Sequence, residues 1–229
     1  MTMNDLTTKL AADWAYLVDF GTFFLCVAMV LIYQRRLVRR IRENPTLTIQ
    51  GMNVQARAAW VERIMREERD LHTLAVQTFR NSTMAATLLA STAVLLIFGI
   101  LNLLANADKL SHILAGVNSW GSREPGVWLF KLMLLIVDFF ISFFSFSLAV
   151  RGFHHVGYMI NVPTGAHDHG VTVQKVVRVL NRVSQYYSIG MRTYYFSVPL
   201  VLWLFGPAWM FVATVVLLVV LNHLDHLPD

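Results

Sequence analysis

Cys26 is the only cysteine in 229 residues, so the chain has no intrachain disulfide and no thiolate metal cluster. Charge is scarce too: Asp, Glu, Lys and Arg make up 14% of the residues, against about 25% in an ordinary soluble domain. The usual catalytic frames are missing. There is no Gly-Lys-Ser/Thr phosphate loop, Gly-x-Ser-x-Gly elbow, dinucleotide glycine fingerprint, His-Glu-x-x-His or Cys-x-x-Cys. No internal repeat and no Pro-, Gly- or Ser-rich linker divides the chain, which reads as one domain, 1–229. These absences argue against an enzyme and call for no cofactor.

What is abundant is apolar. Hydrophobic residues reach 56%, with a mean hydropathy of +0.53, more than one small core can hold. They gather into four runs, Trp14–Tyr33, Met84–Ala105, Val127–Val150 and Tyr195–Leu221. Each run supplies the ~20 residues that a helix needs to cross a hydrocarbon core about 30 Å thick. Lipid leaves no water to bond a free backbone group, so the spans must be helical. The expected fold class is all-α, a four-span membrane protein with amphipathic helices outside the bilayer. Arg35, Arg36, Arg39, Arg40 and Arg42 follow the first run, the reverse of a signal peptide, so that run reads as a retained anchor.

Lys and Arg set the direction, because cytoplasmic loops carry their excess. Ten of the 19 lie in Gln34–Thr83 and five in Arg151–Tyr194, whereas the loop between the second and third runs has only Lys109 and Arg123. Both termini are therefore expected on the non-cytoplasmic side of a cell inner (plasma) membrane. Trp14, Tyr16 and Trp128 at outer ends, with Tyr33, Tyr194 and Tyr195 at inner ends, suit interfacial anchoring. Arg35, Arg36, Arg39 and Arg40 are expected beside anionic lipid headgroups. The net charge of +5 does not call for nucleic acid, since the arginines hug the bilayer and no base-stacking surface accompanies them.

Cytoplasmic helices are predicted at about 53–82 and 172–192. Val54, Ala58, Val61 and Met65 share a face of the first, with Glu62–Arg66 and Arg63–Glu67 spaced i, i+4 elsewhere, and this helix could continue into the second span. In the second, Val173, Val176, Val177, Leu180 and Val183 oppose Lys175, Arg178, Arg182 and Gln185, with Thr172 as N-cap. Mixed charge favours mutual packing over a place in the lipid interface for the first helix.

Three ionisable residues fall inside the spans, each costing about 2.5–3.5 kcal/mol at a helix centre. Asp19 and Lys131 sit at similar depth from their outer ends and are expected to pair, as a register-fixing ion pair or as part of a conduction path. Asp138 lies twelve residues before Val150, and the same count along the fourth run from Tyr195 reaches Gly206-Pro207. Proline has no amide hydrogen there, which frees the Trp203 carbonyl. A protonated Asp138 donating to that carbonyl would be either a static lock or a protonation switch at a helix break. Ser142 and Ser145 share the Asp138 face, and Thr83, Thr87 and Ser91 share a face of the second span, a spacing that serves close helix packing or a wet path.

Histidines form the remaining constellation. His154, His155, His167 and His169 follow the third span, and His223 and His226 stand a turn apart beside Asp225. Solvated loop histidines are the ordinary reading; metal ligation by His167, His169, His223 and His226 is the other.

Tyr33-Gln34-Arg35-Arg36, Asn44-Pro45, Gly51-Met52-Asn53, Arg57 with Trp60-Val61, and Arg80-Asn81-Ser82 with Met84-Ala85-Ala86-Thr87 form one set of motifs. Gly190, Arg192, Tyr194-Tyr195-Phe196, Pro199-Leu200, Leu202-Trp203 and Phe205-Gly206-Pro207 form a second. Together they resemble an uncharacterised family of four-span membrane proteins found in bacteria and plants, a domain of unknown function. The resemblance covers nearly the whole chain; it implies the span count and brings no reaction or ligand. The expected function is a membrane component without a catalytic site, oligomeric or accessory to a larger membrane complex. The alternatives are a homo-oligomeric channel or proton-coupled transporter using Asp138, and a histidine-metal membrane enzyme.

Overall fold

A computed structural model describes residues 3–43, 48–66, 70–105, 121–122, 124–162 and 170–225. Among them are six helices and no strand: α1 (Met3–Glu43), α2 (Ile49–Arg66), α3 (Asp70–Ala105), α4 (Pro125–Met159), α5 (Val173–Trp203) and α6 (Pro207–Asp225). The expected all-α class holds. Four stretches, Asp13–Glu43, Leu71–Ala105, Pro125–Met159 and Pro207–Asp225, are long and apolar enough to cross a membrane. Leu17, Phe24, Leu88, Leu95, Phe98, Phe144 and Val219 are exposed along them. Water tolerates an apolar surface this extensive poorly, whereas lipid makes it the ordinary outer surface.

Local chemistry sets the helix ends. Thr48 Oγ1 accepts from Gly51 N at 3.2 Å to cap α2, and Thr172 Oγ1 accepts from Lys175 N at 3.3 Å to cap α5, the cap read from the sequence. α4 and α6 both start on proline, Pro125 and Pro207. At a first helical position the missing amide hydrogen has no intrahelical partner to lose. Pro199 lies inside α5, where it withholds one backbone bond.

The helices pack into two units. The first holds α1 up to Arg39, α3 from Leu96, α4 up to Phe139, α5 from Tyr194, and α6 up to Leu224. Its core joins Ile97, Ile100, Trp128, Leu132, Leu135 and Phe139, with Cys26, Trp203 and Met210 beside Phe23. The second holds α2, α3 up to Leu95, α4 from Phe140, and α5 up to Thr193, with Asp225. Its core joins Val61, Ile64, Phe79, Phe153, Val156, Val176 and Leu180. In the second unit two glycines set the approach of α4 and α5. A Cβ on Gly152 would collide with the Val183 side chain, and one on Gly190 would lie 2.8 Å from the Phe146 ring.

Contact order along the helices gives their directions. In the first unit Asp19 meets Lys131 and Cys26 packs near Leu134, so α1 and α4 run the same way. α5 runs against α4, with Tyr194 on Phe139 and Trp203 at Lys131. α6 follows α1: Val18, Thr22 and Leu25 line a groove with Pro207, Ala208 and Phe211, and Cys26 shares a buried cluster with Met210. In the second unit Asp225 bonds Arg192, near the middle of α5.

The expected span 195–221 is therefore not one pass. It is the top of a helical hairpin whose apex is Leu204, Phe205 and Gly206. Short-range bonds close α5, with Leu204 N, Phe205 N and Gly206 N donating to the carbonyls of Val201, Leu202 and Trp203 at 3.0–3.1 Å. Gly206 then adopts φ 137°, a conformation that side chains disfavour, and Pro207 opens the returning helix. Because the apex residues Leu204 and Phe205 are themselves apolar, the hydropathy run passes through the reversal unmarked. As a consequence, Asp13 of α1 and Leu224 of α6 point to opposite ends of the first unit. The two expected cytoplasmic helices also change. The stretch 53–82 is divided between α2 and the head of α3, and 172–192 is continuous with the residues up to Trp203 in α5.

With Cys26→Ala as background, Trp14→Cys and Leu224→Cys should react with a membrane-impermeant maleimide from opposite faces of sealed vesicles. Labelling from one face would contradict the hairpin.

Candidate functional site

The centre of the first unit is a closed polar network in an apolar setting. Asp19 lies on α1 and Lys131 on the first turns of α4, and both side chains are 0% exposed. Lys131 Nζ donates to Asp19 Oδ1 at 2.9 Å. Trp203 Nε1 donates to the same oxygen at 2.8 Å, and Ser122 N donates to Asp19 Oδ2 at 2.5 Å. Three donors on one carboxylate replace the hydration it has lost.

Trp203 serves this network twice. As the last residue of α5, its carbonyl has no following helical amide to accept from, so it takes Gly206 N at 3.1 Å and Lys131 Nζ at 3.3 Å. The ammonium thus sits at the negative end of the α5 dipole. It also lies 4.9 Å from the Trp203 ring centroid and 5.7 Å from that of Trp128, within cation–π range. Phe23 stacks on the Trp203 ring at 4.9 Å and 8°. Proline at 207 does free the Trp203 carbonyl, as the sequence predicts, but the donor that reaches it is Lys131 and not Asp138. The lysine chain carries its charge several ångströms from the α4 backbone to the hairpin apex.

Asp138 and Ser142 have different surroundings. Asp138 Oδ2, in the first unit, and Ser142 Oγ, in the second, are buried without a hydrogen-bond partner among the described residues. Thr87 and Ser91 are exposed on α3. The buried small face of that helix is Ala86, Ala90 and Ala93 instead. Arg35, Arg36, Arg39 and Arg40 are exposed on α1, where headgroups could be reached.

The histidines do not converge among the described residues, and no group of three His, Cys, Asp or Glu there could share a metal. His154, His155 and His223 are exposed, while His167, His169 and His226 lie outside the described residues. His72, which carried no expectation, has Nδ1 2.9 Å from Asn161 Oδ1.

Two arrangements in the second unit were not anticipated. Arg192 Nη2 bonds both carboxylate oxygens of Asp225, at 3.0 and 3.3 Å, in a largely buried pair. Were the fourth apolar run a single straight pass, these residues would lie about 50 Å apart at 1.5 Å per residue, so linear reading hides the pair. The second is a cleft of about 630 Å³ between α2 and α5, with Glu62, Arg66, Arg178, Asn181 and Arg182 in its lining. Behind it, Arg57 Nε donates to Asn181 Oδ1 at 2.9 Å. Burial pushes the Arg57 guanidinium below its ordinary pKa, yet arginine stays charged in proteins.

The family described as Protein of unknown function, DUF599, matches residues 22–228. The chain belongs to the DUF599 family. The DUF599 match takes in Ser122, Lys131 and Trp203, and it begins just after Asp19. No curated protein and no solved structure matches the chain.

Lys131→Met leaves Asp19 a lone buried charge and should destabilise the protein by about 3–5 kcal/mol. Asp19→Asn combined with Lys131→Met should cost less than Lys131→Met alone. Chemical unfolding in detergent followed by far-UV circular dichroism tests the ordering; additive losses would mean that the pair is not coupled.

Proposed function

We propose that this DUF599 protein is a non-enzymatic component of the inner (plasma) membrane, an oligomeric subunit or an accessory scaffold for a membrane complex. Its working surface in this reading is the basic side formed by α2 and the first half of α5. The observation that carries it is a contrast in how charge is used. Within the spans, Asp19 and Lys131 are sealed together and leave no open site. Outside the spans, a polar cleft stays open between α2 and α5. The Lys and Arg excess in Gln34–Thr83 and Arg151–Tyr194 supports a cytoplasmic position for that side. In this reading the end of α6 lies on the cytoplasmic face and the start of α1 on the other. Anionic headgroups are the partners this reading gives Arg35, Arg36, Arg39 and Arg40.

One observation favours a second reading. The unpartnered Asp138 Oδ2 suits a homo-oligomeric channel or proton-coupled transporter, where a water or a second copy would complete it.

Native mass spectrometry of the protein released gently from its own membrane, with flux measured in proteoliposomes, separates the two. A stoichiometric foreign subunit, or a defined oligomer without flux, is the expected result. Ion or proton flux that is lost in Asp138→Asn would replace the scaffold with the transporter.

A further inference from the structure

We propose that the cleft between α2 and α5 is a binding site for a phosphate-bearing anion. The proposal deepens the reading of this side as the working surface and rests on it. Arg178 and Arg182 stand at i, i+4 on α5, both in the lining, and neither has a partner among the described residues. Like charges at that spacing oppose the helix, a repulsion that a bound anion converts into attraction. Arg66 faces them from α2. Among the described residues Glu62 is the only carboxylate in the lining and already takes Arg66 Nη2 at 2.7 Å, so those residues give the cleft an excess of positive charge. That ion pair is exposed on both sides, 69% and 48%, and solvent-exposed pairs are weak, so Arg66 can exchange it for a stronger anion.

Asn181 completes the donor set. Its Oδ1 is taken by Arg57 Nε, which leaves the amide nitrogen as the free end in a position that lines the cleft. Arg66, Arg178, Arg182 and the Asn181 amide therefore present donors from two walls. One guanidinium fork satisfies a planar carboxylate, whereas several forks approaching from different sides suit a tetrahedral group with three or more acceptor oxygens. A cleft of about 630 Å³ holds a phosphorylated small molecule or a lipid headgroup. Hydrophobic Val173, Val177 and Ala58 on the same walls give an attached organic part something to rest on.

The full chain in phosphatidylcholine nanodiscs is titrated with pyrophosphate and, separately, with sulfate and chloride at equal ionic strength, by calorimetry. The same protein is exchanged into nanodiscs containing phosphatidic acid, and retained lipid is counted by native mass spectrometry. Saturable pyrophosphate binding that weakens at least about tenfold in Arg178→Gln/Arg182→Gln assigns the site to a soluble phosphate compound. Retention of phosphatidic acid that the same substitutions remove assigns it to a headgroup. Asn181→Ala, a milder change, should weaken whichever is observed, and Arg35→Gln/Arg36→Gln on α1 should leave it unaltered. Binding that does not separate pyrophosphate from sulfate, or that survives Arg178→Gln/Arg182→Gln, overturns the proposal, as does the absence of both signals in folded protein. A subunit retained in the native spectrum without any phosphate binding would overturn the ligand and leave the scaffold reading standing.

Discussion

The ammonium of Lys131, held without solvent against Asp19 and the end of α5, is the constraint to which the first unit answers. Neither charge is tolerable alone among Phe23, Phe130, Leu132 and Leu135, since a lone buried ion costs more than any packing around it returns. The pair becomes tolerable because Trp203 supplies an indole N–H to the acid and a carbonyl to the base, and Ser122 adds a backbone amide. For Trp203 to offer that carbonyl, α5 must stop there, and Gly206 and Pro207 turn the chain back at once. Helix termination, reversal and charge burial are thus one solution to one electrostatic problem.

Reversal has a second effect. It brings Asp225 beside Arg192 in the second unit, so a cation on a helix of mixed polarity acquires a carboxylate from the far end of α6. The close approach of α4 and α5 at Gly152 and Gly190 leaves no room for side chains between their backbones. α2 shares that unit's buried core with α5 through Val61, Ile64, Val176 and Leu180, but beside the core the two helices meet through an Arg57–Asn181 bond and an open cleft. One side of α5 is packing surface and another is available chemistry. This division is why the functional reading falls on the helices outside the spans.

Much of this was legible in advance, for identifiable reasons. Long apolar runs, Thr172 as a cap, and the depth match of Asp19 with Lys131 are local or nearly local properties, decided by helix rise and by side-chain chemistry. The Trp203 carbonyl was also recognisable as a free acceptor, because proline at 207 must leave one. Its donor was not recognisable, since choosing between Lys131 and Asp138 requires knowing which face of α4 meets the hairpin apex. Thr87 and Ser91 suggested a packing stripe, but the alanine face one residue away is the buried one. Period alone does not rank two adjacent faces of similar size.

By itself, the sequence determined that this chain is helical and lives in lipid, because run length, backbone satisfaction and arginine distribution are summed along the chain and need no partner. Tertiary structure alone decided that the last apolar run folds back, that Lys131 serves Trp203, and that Arg178 and Arg182 face a cleft. Each of these depends on which distant residues meet. A hydropathy sum is unchanged by a reversal at two apolar residues, whereas the contacts on either side of it are all exchanged.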